Sequence, residues 1–208
     1  MKATGRKQAE KEDRRRVILE AARSLLLKKG YDAVSIRQIA AISELGAGTI
    51  YSYFSGKPEI YATLSTEVFD LLHERFQAAV VPGAPPADSL RAIGAALLDF
   101  TVKHGAYYDF LDYFISSPRT IFPVEMKSRV DKYGAKVLAP IRDAVEAGIR
   151  TGEFRHVDSA HYALLFLGMM HGVAHFRKLK DTLLAEAGFD GLYRQGIECM
   201  VESLRVLP

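Results

Sequence analysis

Residues 46–57 read GAGTIYSYFSGK and concentrate groups that suit one kind of chemistry. Thr49, Tyr51 and Tyr53 carry hydroxyls and Lys57 a cation, and such groups bond phosphate oxygens. Gly46, Ala47 and Gly48 precede them and let the start of a helix approach another surface closely. Each glycine costs about 1 kcal/mol of helix propensity relative to alanine, so selection for stability alone would not favour the pair. Ile50 and Phe54, four residues apart, supply an inward face, which leaves Tyr51 and Tyr53 available for contacts outside. A purely structural reading is also open, because glycines are common helix caps and aromatic clusters are common in cores.

Other reactive side chains form weaker patterns. His171 and His175 stand at i,i+4 on one helical face, a metal-ligand spacing. The intervening sequence HGVAH lacks the glutamate of a metalloprotease motif. His104, His161 and Cys199 are further candidate ligands, but helical histidine pairs more often line pockets or interfaces, and no metal site is assigned. There is no G-x-x-x-x-G-K-[ST] phosphate loop and no G-x-S-x-G nucleophile elbow. The glycines at 46 and 48 do not follow a strand, so they are not a dinucleotide turn. Neither an enzyme nor a resident cofactor is expected.

The chain has 208 residues, 49% of them apolar, enough for a substantial core. Cys199 is the single cysteine, which fits a reducing compartment. No run of about 18 apolar residues exists, and the polar first eleven residues lack the apolar segment of a signal peptide. A soluble cytoplasmic protein is expected. Charge is uneven: residues 1–57 hold 12 Lys and Arg against 6 Asp and Glu, whereas the remainder holds 16 against 19. A basic head on a mildly acidic body suits a polyanion partner. From charge alone, a solvated basic surface is the other reading.

The elements that position these groups are helices throughout. Apolar residues recur at three- and four-residue steps from 13 to 29, and Gly30 follows as a terminator. Ser35 and Gln38 form an S-x-x-Q capping box that opens a helix to about 42. A turn at 43–45 leads to a short helix from 46 or 47 to 53. Helices are then expected at 58–80, from 88 or 89 to 103, 105–116, 124–150 with Pro140 inside, 158–180 after an Asp158 cap, and 189–206. Residues 117–123 are read as a connector. The expected fold class is all-α: a three-helix helix-turn-helix DNA-binding head at 13–57, a flexible basic arm at 1–12, and a larger helical body at 58–208. In a helix-turn-helix the second short helix enters the major groove with its N-terminal residues leading.

The stretch SIRQIAAISELGAGTIYSYFSGKPEIYATL, residues 35–64, resembles the DNA-binding signature of the TetR family of bacterial transcriptional regulators. Ser35, Ile39, Ala40, Ser43, Leu45, Gly46, Gly48, Thr49, Ile50, Tyr51, Tyr53, Phe54, Lys57 and Ile60 occupy its pattern positions. The resemblance is specific over about residues 13–60; beyond that it extends only to length, helical content and details such as TGEF at 151–154. Two residues depart from the pattern. Glu44 stands at the usual turn glycine, so a wider or strained turn is expected. Gly46 replaces the usual serine cap, which removes one phosphate-binding hydroxyl. Lower operator affinity is expected from both.

The resemblance implies a homodimeric, ligand-responsive repressor on a palindromic double-stranded DNA operator. It implies that Arg37 reads a base edge and that Ala47, Gly48 and Thr49 face the groove. It assigns Tyr51, Tyr53 and Lys57 to phosphate, with Ser35 as a cap that also meets phosphate. Lys2, Arg6 and Lys7 would add arm contacts. It implies a dimer through the last two helices, for which Leu164, Gly168, Gly172, His175, Met200 and Leu204 are candidates. It also implies a pocket for a small apolar or aromatic effector, with Phe100, His104, Tyr107, Tyr108, Tyr113, Phe114, Phe122 and His171 as candidate lining, although core packing would explain the rings equally well. Residues 58–208 would then be the effector-binding and dimerisation domain. Two alternatives stand beside this reading: control by a protein partner instead of a small molecule, and a helical metal protein or enzyme.

Overall fold

A computed structural model describes residues 2–117, 122–184 and 188–206, the side chains of residues 2–5 and 7 excepted. Among these residues the chain forms α1 (Lys2–Lys29), α2 (Ile36–Ile42), α3 (Ala47–Tyr53), α4 (Lys57–Ala79), α5 (Pro86–Lys103), α6 (Gly105–Ile115), α7 (Val124–Thr151), α8 (Ser159–His175) and α9 (Phe189–Leu204), with a short 3-10 helix at Phe176–Leu179. No described helix is long and apolar enough to cross a membrane. Most of the connector expected at 117–123 lies outside the described residues, as do the side chains of Lys2 and Lys7.

Four element boundaries differ from the sequence reading by two residues or more. α1 begins at Lys2 and not at residue 13, so the expected arm is helical. Arg6 bonds Glu10 at 3.0 Å and Gln8 bonds Glu12 at 2.8 Å, both i,i+4 pairs that favour helix. α5 begins at Pro86 and not at 88 or 89. Proline suits the first helical position because its missing N–H has no partner there. Ser89 is consequently buried inside the helix, with its hydroxyl 3.4 Å from the Pro85 carbonyl. α8 stops at His175, where the backbone tightens into the 3-10 turn. α9 ends at Leu204, and Arg155 N–H donates to the Leu204 carbonyl at 2.8 Å.

Contacts divide the chain into two units, and the division falls within α4 and α7. The first comprises residues 1–68 and 106–131. The head therefore reaches well past the expected boundary at residue 57 and includes most of α6. Its core holds Ile18, Ala22, Leu26, Ile39, Ile50, Phe54, Ile60 and Tyr61, each 1% exposed or less. Tyr61 also donates its hydroxyl to the Ala22 carbonyl at 3.0 Å, and burial pushes that hydroxyl's pKa up, so it stays a donor. Phe110 and Phe114 of α6 lie 6.3 and 5.9 Å from the Tyr61 ring.

The second unit comprises residues 69–105 and 132–208. Here α5, α8 and α9 pack on one another. Gly94 permits the close approach of α5 to α9: a Cβ there would sit 2.7 Å from Ile197 side-chain atoms. Arg91 on α5 reaches Glu198 on α9 with a forked pair of bonds at 2.9 Å. Leu204 is fully buried in this core, so it has no surface for a partner chain.

Candidate nucleic-acid interface

Helices α2 and α3 have seven residues each. Isolated helices below about 12–15 residues are marginal, so local caps and tertiary ties must hold this pair. Ser35 caps α2: its side chain accepts from Gln38 N–H at 3.3 Å, and the Gln38 side chain accepts from Ser35 N–H at 2.9 Å. The capping box read from the sequence is complete.

The turn between the helices is a Schellman motif. Glu44 N–H donates to the Ala41 carbonyl at 3.4 Å and Leu45 N–H to the Ala40 carbonyl at 2.9 Å. Glu44 occupies the left-handed position with φ +54°, unlike every other described non-glycine residue. The turn is thus strained rather than widened: its hydrogen bonds are made, and the side chain carries a steric cost of about 1–2 kcal/mol.

Gly46 caps α3 with an extended backbone, and its carbonyl accepts from Thr49 and Ile50 N–H at 2.9 and 3.2 Å. Ile50 and Phe54 point into the core, whereas Tyr51 is 58% exposed and Tyr53 half-buried. The Arg15 guanidinium covers the Phe54 ring at 4.6 Å. Gly48 is exposed, and a Cβ built there would meet nothing within 4 Å. Among the described residues nothing requires that position to be glycine. Ala47 and Thr49 are half-buried beside it, and Arg37 is exposed on the first turn of α2. Arg37, Gly48 and Tyr51 thus reach solvent from helices held by the same turn.

Lys57 is engaged within the head. Its ammonium donates to the Tyr31 and Val34 carbonyls at 2.7 and 2.9 Å and lies 4.1 Å from the centre of the Tyr31 ring. Burial pushes this amine below the usual lysine range, and Asp32 opposes that shift. From the other side, Tyr31 N–H donates to the Tyr113 hydroxyl at 2.8 Å. The loop between α1 and α2 is therefore pinned by α4 and by α6. Tyr31 was not singled out from the sequence; its position directly after the terminating Gly30 was the available signal. Arg6, on α1, is exposed and paired with Glu10.

The candidate effector residues divide between the two units. Tyr107, Tyr108, Tyr113, Phe114 and Phe122 belong to the first. Tyr107 lies 4.8 Å beneath the Arg23 guanidinium, Tyr108 is buried, and Phe114 packs on Tyr31, Tyr61, Phe110, Tyr113 and Phe122. Tyr107, Tyr113 and Phe114 thus brace the head through Arg23, Tyr31 and Tyr61. In the second unit, Phe100 is buried, and His104 lies tilted beside it at 5.2 Å and accepts from Arg75 at 3.3 Å. His171 sits beside His175 on α8, in the same unit. Of the candidate dimer residues, Leu164, Gly168 and Gly172 are exposed on α8, while His175 and Met200 are half-buried.

Residues 18–64 match the family model for bacterial regulatory proteins of the tetR family. The chain is 24% identical over 155 residues to the uncharacterized HTH-type transcriptional regulator YhgD of Bacillus subtilis, covering 74% of this chain and 79% of that one. It is 33% identical over 85 residues to the HTH-type transcriptional repressor KstR of Rhodococcus jostii, covering 41% and 39%. Among solved structures, a putative tetR family regulator from Shewanella sp. PV-4 superposes with a TM-score of 0.79 at 18% identity, over 93% of this chain and 99% of that one. The transcriptional regulator FadR of Bacillus subtilis, crystallised with stearoyl-CoA, gives 0.75 at 17%, over 91% and 98%. At these identities the two structures speak for the fold.

Three outcomes are expected. Glu44→Gly relieves the left-handed strain and stabilises the head by about 1 kcal/mol, read as a higher denaturant midpoint at unchanged slope. Gly48→Ala leaves the fold intact or raises its stability by up to about 1 kcal/mol, because the added methyl meets open space. If that face enters a groove, the same variant weakens DNA binding in a gel-shift titration. Lys57→Ala removes two charge-assisted bonds and lowers stability by about 2–3 kcal/mol; an unchanged melt would show that the tie carries no energy.

Proposed function

The chain is a transcriptional regulator of the TetR family, and on that premise we propose that it acts as a homodimeric repressor released from a palindromic operator by a small organic effector. The observation that carries the DNA-reading part is the first turn of α3. Its cap Gly46 and its residue Gly48 are exposed, and open space stands where a side chain would be at 48. This turn leads into the groove, with Thr49, Tyr51 and Tyr53 on flanking phosphates and Arg37 on a base edge, the commonest arginine contact being guanine. Lys57 uses two donors inside the head and offers its third to a phosphate. A cytoplasmic location follows from a DNA partner.

Dimerisation is supported by α8. Leu164, Leu165 and Met169 are 55%, 65% and 45% exposed, and they share one face with Gly168 and Gly172, where an added Cβ meets nothing within 4 Å. An apolar stripe with small residues suits a close helix contact with a second copy across a twofold axis. Met200 and His175 border the contact. Two linked heads then bind two half-sites, and the second contact forms at high effective concentration.

Effector control is supported by the shared fold with FadR, whose crystals contain stearoyl-CoA. An apolar effector held by the second unit changes DNA binding only through a difference in affinity between two head arrangements. α4, which leaves the first unit at Val68 and continues to Ala79, and α7, which crosses the same division after Asp131, are covalent routes for that change.

Selection from random-sequence DNA with the pure protein should enrich a palindrome, and recovering no enriched sequence would overturn the reading. Arg37→Ala should relax base preference at one position of each half-site, at about 1–3 kcal/mol. Leu165→Glu should yield a monomer by sedimentation and lower operator affinity about a hundredfold. A monomeric wild-type chain at the same concentration would remove the dimer from the proposal.

A further inference from the structure

We propose that His171 and His175 form a bidentate site for a first-row divalent transition-metal ion of the Zn2+ type. This site uses none of the residues assigned to DNA and does not depend on that function. Residues four apart on a helix lie one above the other on the same face, but spacing alone does not make their ring nitrogens converge. Here they do. The two Nε2 atoms are 3.4 Å apart, with ring centres at 5.0 Å and ring planes at 76°.

That separation discriminates between uses. A hydrogen bond between the rings would require one nitrogen to carry the proton and the other to accept it, and 3.4 Å is long for such a bond. A tetrahedral ion with nitrogen bonds of about 2.0–2.1 Å holds two ligands about 3.3–3.4 Å apart. The observed distance matches the second spacing. Both side chains are half-buried, so an ion has a path from solvent while the rings remain held by their helix. Neutral imidazole suits zinc, copper and nickel and disfavours magnesium and calcium, which prefer oxygen. Two protein nitrogens leave coordination positions for water or for an oxygen donor on a small molecule.

The test uses the full chain without an affinity tag, stripped with a chelator and titrated with Zn2+ against a chromophoric competitor. Co2+ serves as a second probe, read by its visible absorption. The expected result is one ion per chain, with affinity reduced at least about tenfold in both His171→Ala and His175→Ala and unchanged in the exposed control His156→Ala. His171→Gln and His175→Gln keep side-chain bulk and give the same losses at unchanged helicity. No ion bound by the wild-type chain, or binding reduced in only one or neither histidine variant, would overturn the site.

Discussion

The head is governed by the shortness of its two central helices. Seven residues cannot sustain a helix in water, so α2 and α3 exist because their ends are tied. The Ser35–Gln38 box satisfies the start of α2, the Schellman bonds around Glu44 satisfy its end, and the Gly46 carbonyl starts α3. Lys57 closes the arrangement by drawing the first turn of α4 onto the carbonyls of Tyr31 and Val34. With the backbone fixed this way, the outer face of α3 is relieved of packing duty, and Gly48 and Tyr51 can be chosen for a partner.

Fixing the head also recruits part of the chain that a domain boundary at residue 57 would assign elsewhere. Phe110, Tyr113 and Phe114 of α6 gather around Tyr31 and Tyr61, and Tyr113 supplies an acceptor to the Tyr31 backbone. Tilted and edge-on ring contacts of this kind add to the stability from buried area alone. The aromatic residues Phe110, Tyr113 and Phe114 are therefore used for bracing the head.

On α8 the same helix serves two ends. One face, with Tyr162, Phe166 and Met170, is buried in the core of its unit, and the opposite face leaves leucines and glycines in water. Among the described residues, packing covers one face of this largely apolar helix.

The sequence by itself determined the local devices. The all-helical pattern, the capping box at Ser35 and the inward pair Ile50 and Phe54 follow from hydrogen bonds and periodicities spanning no more than about five residues. Those short-range rules also made the family pattern legible over residues 35–64. Tertiary structure decided what depends on distant partners. The family resemblance assigns Lys57 to phosphate, and the fold gives it a tie as well because Tyr31 and Val34 come to it. Tyr113 reaches a backbone group 82 residues away. Leu204 shares a helical pattern with Met200, but the Phe154–Arg205 bridge holds the adjacent segment against α9 and seals it in the core. The i,i+4 spacing of His171 and His175 allows several uses, and only the folded positions of the rings set their nitrogens at a metal-spanning distance. Spacing fixes which face a side chain shares, whereas packing across the chain fixes where its reactive atom ends.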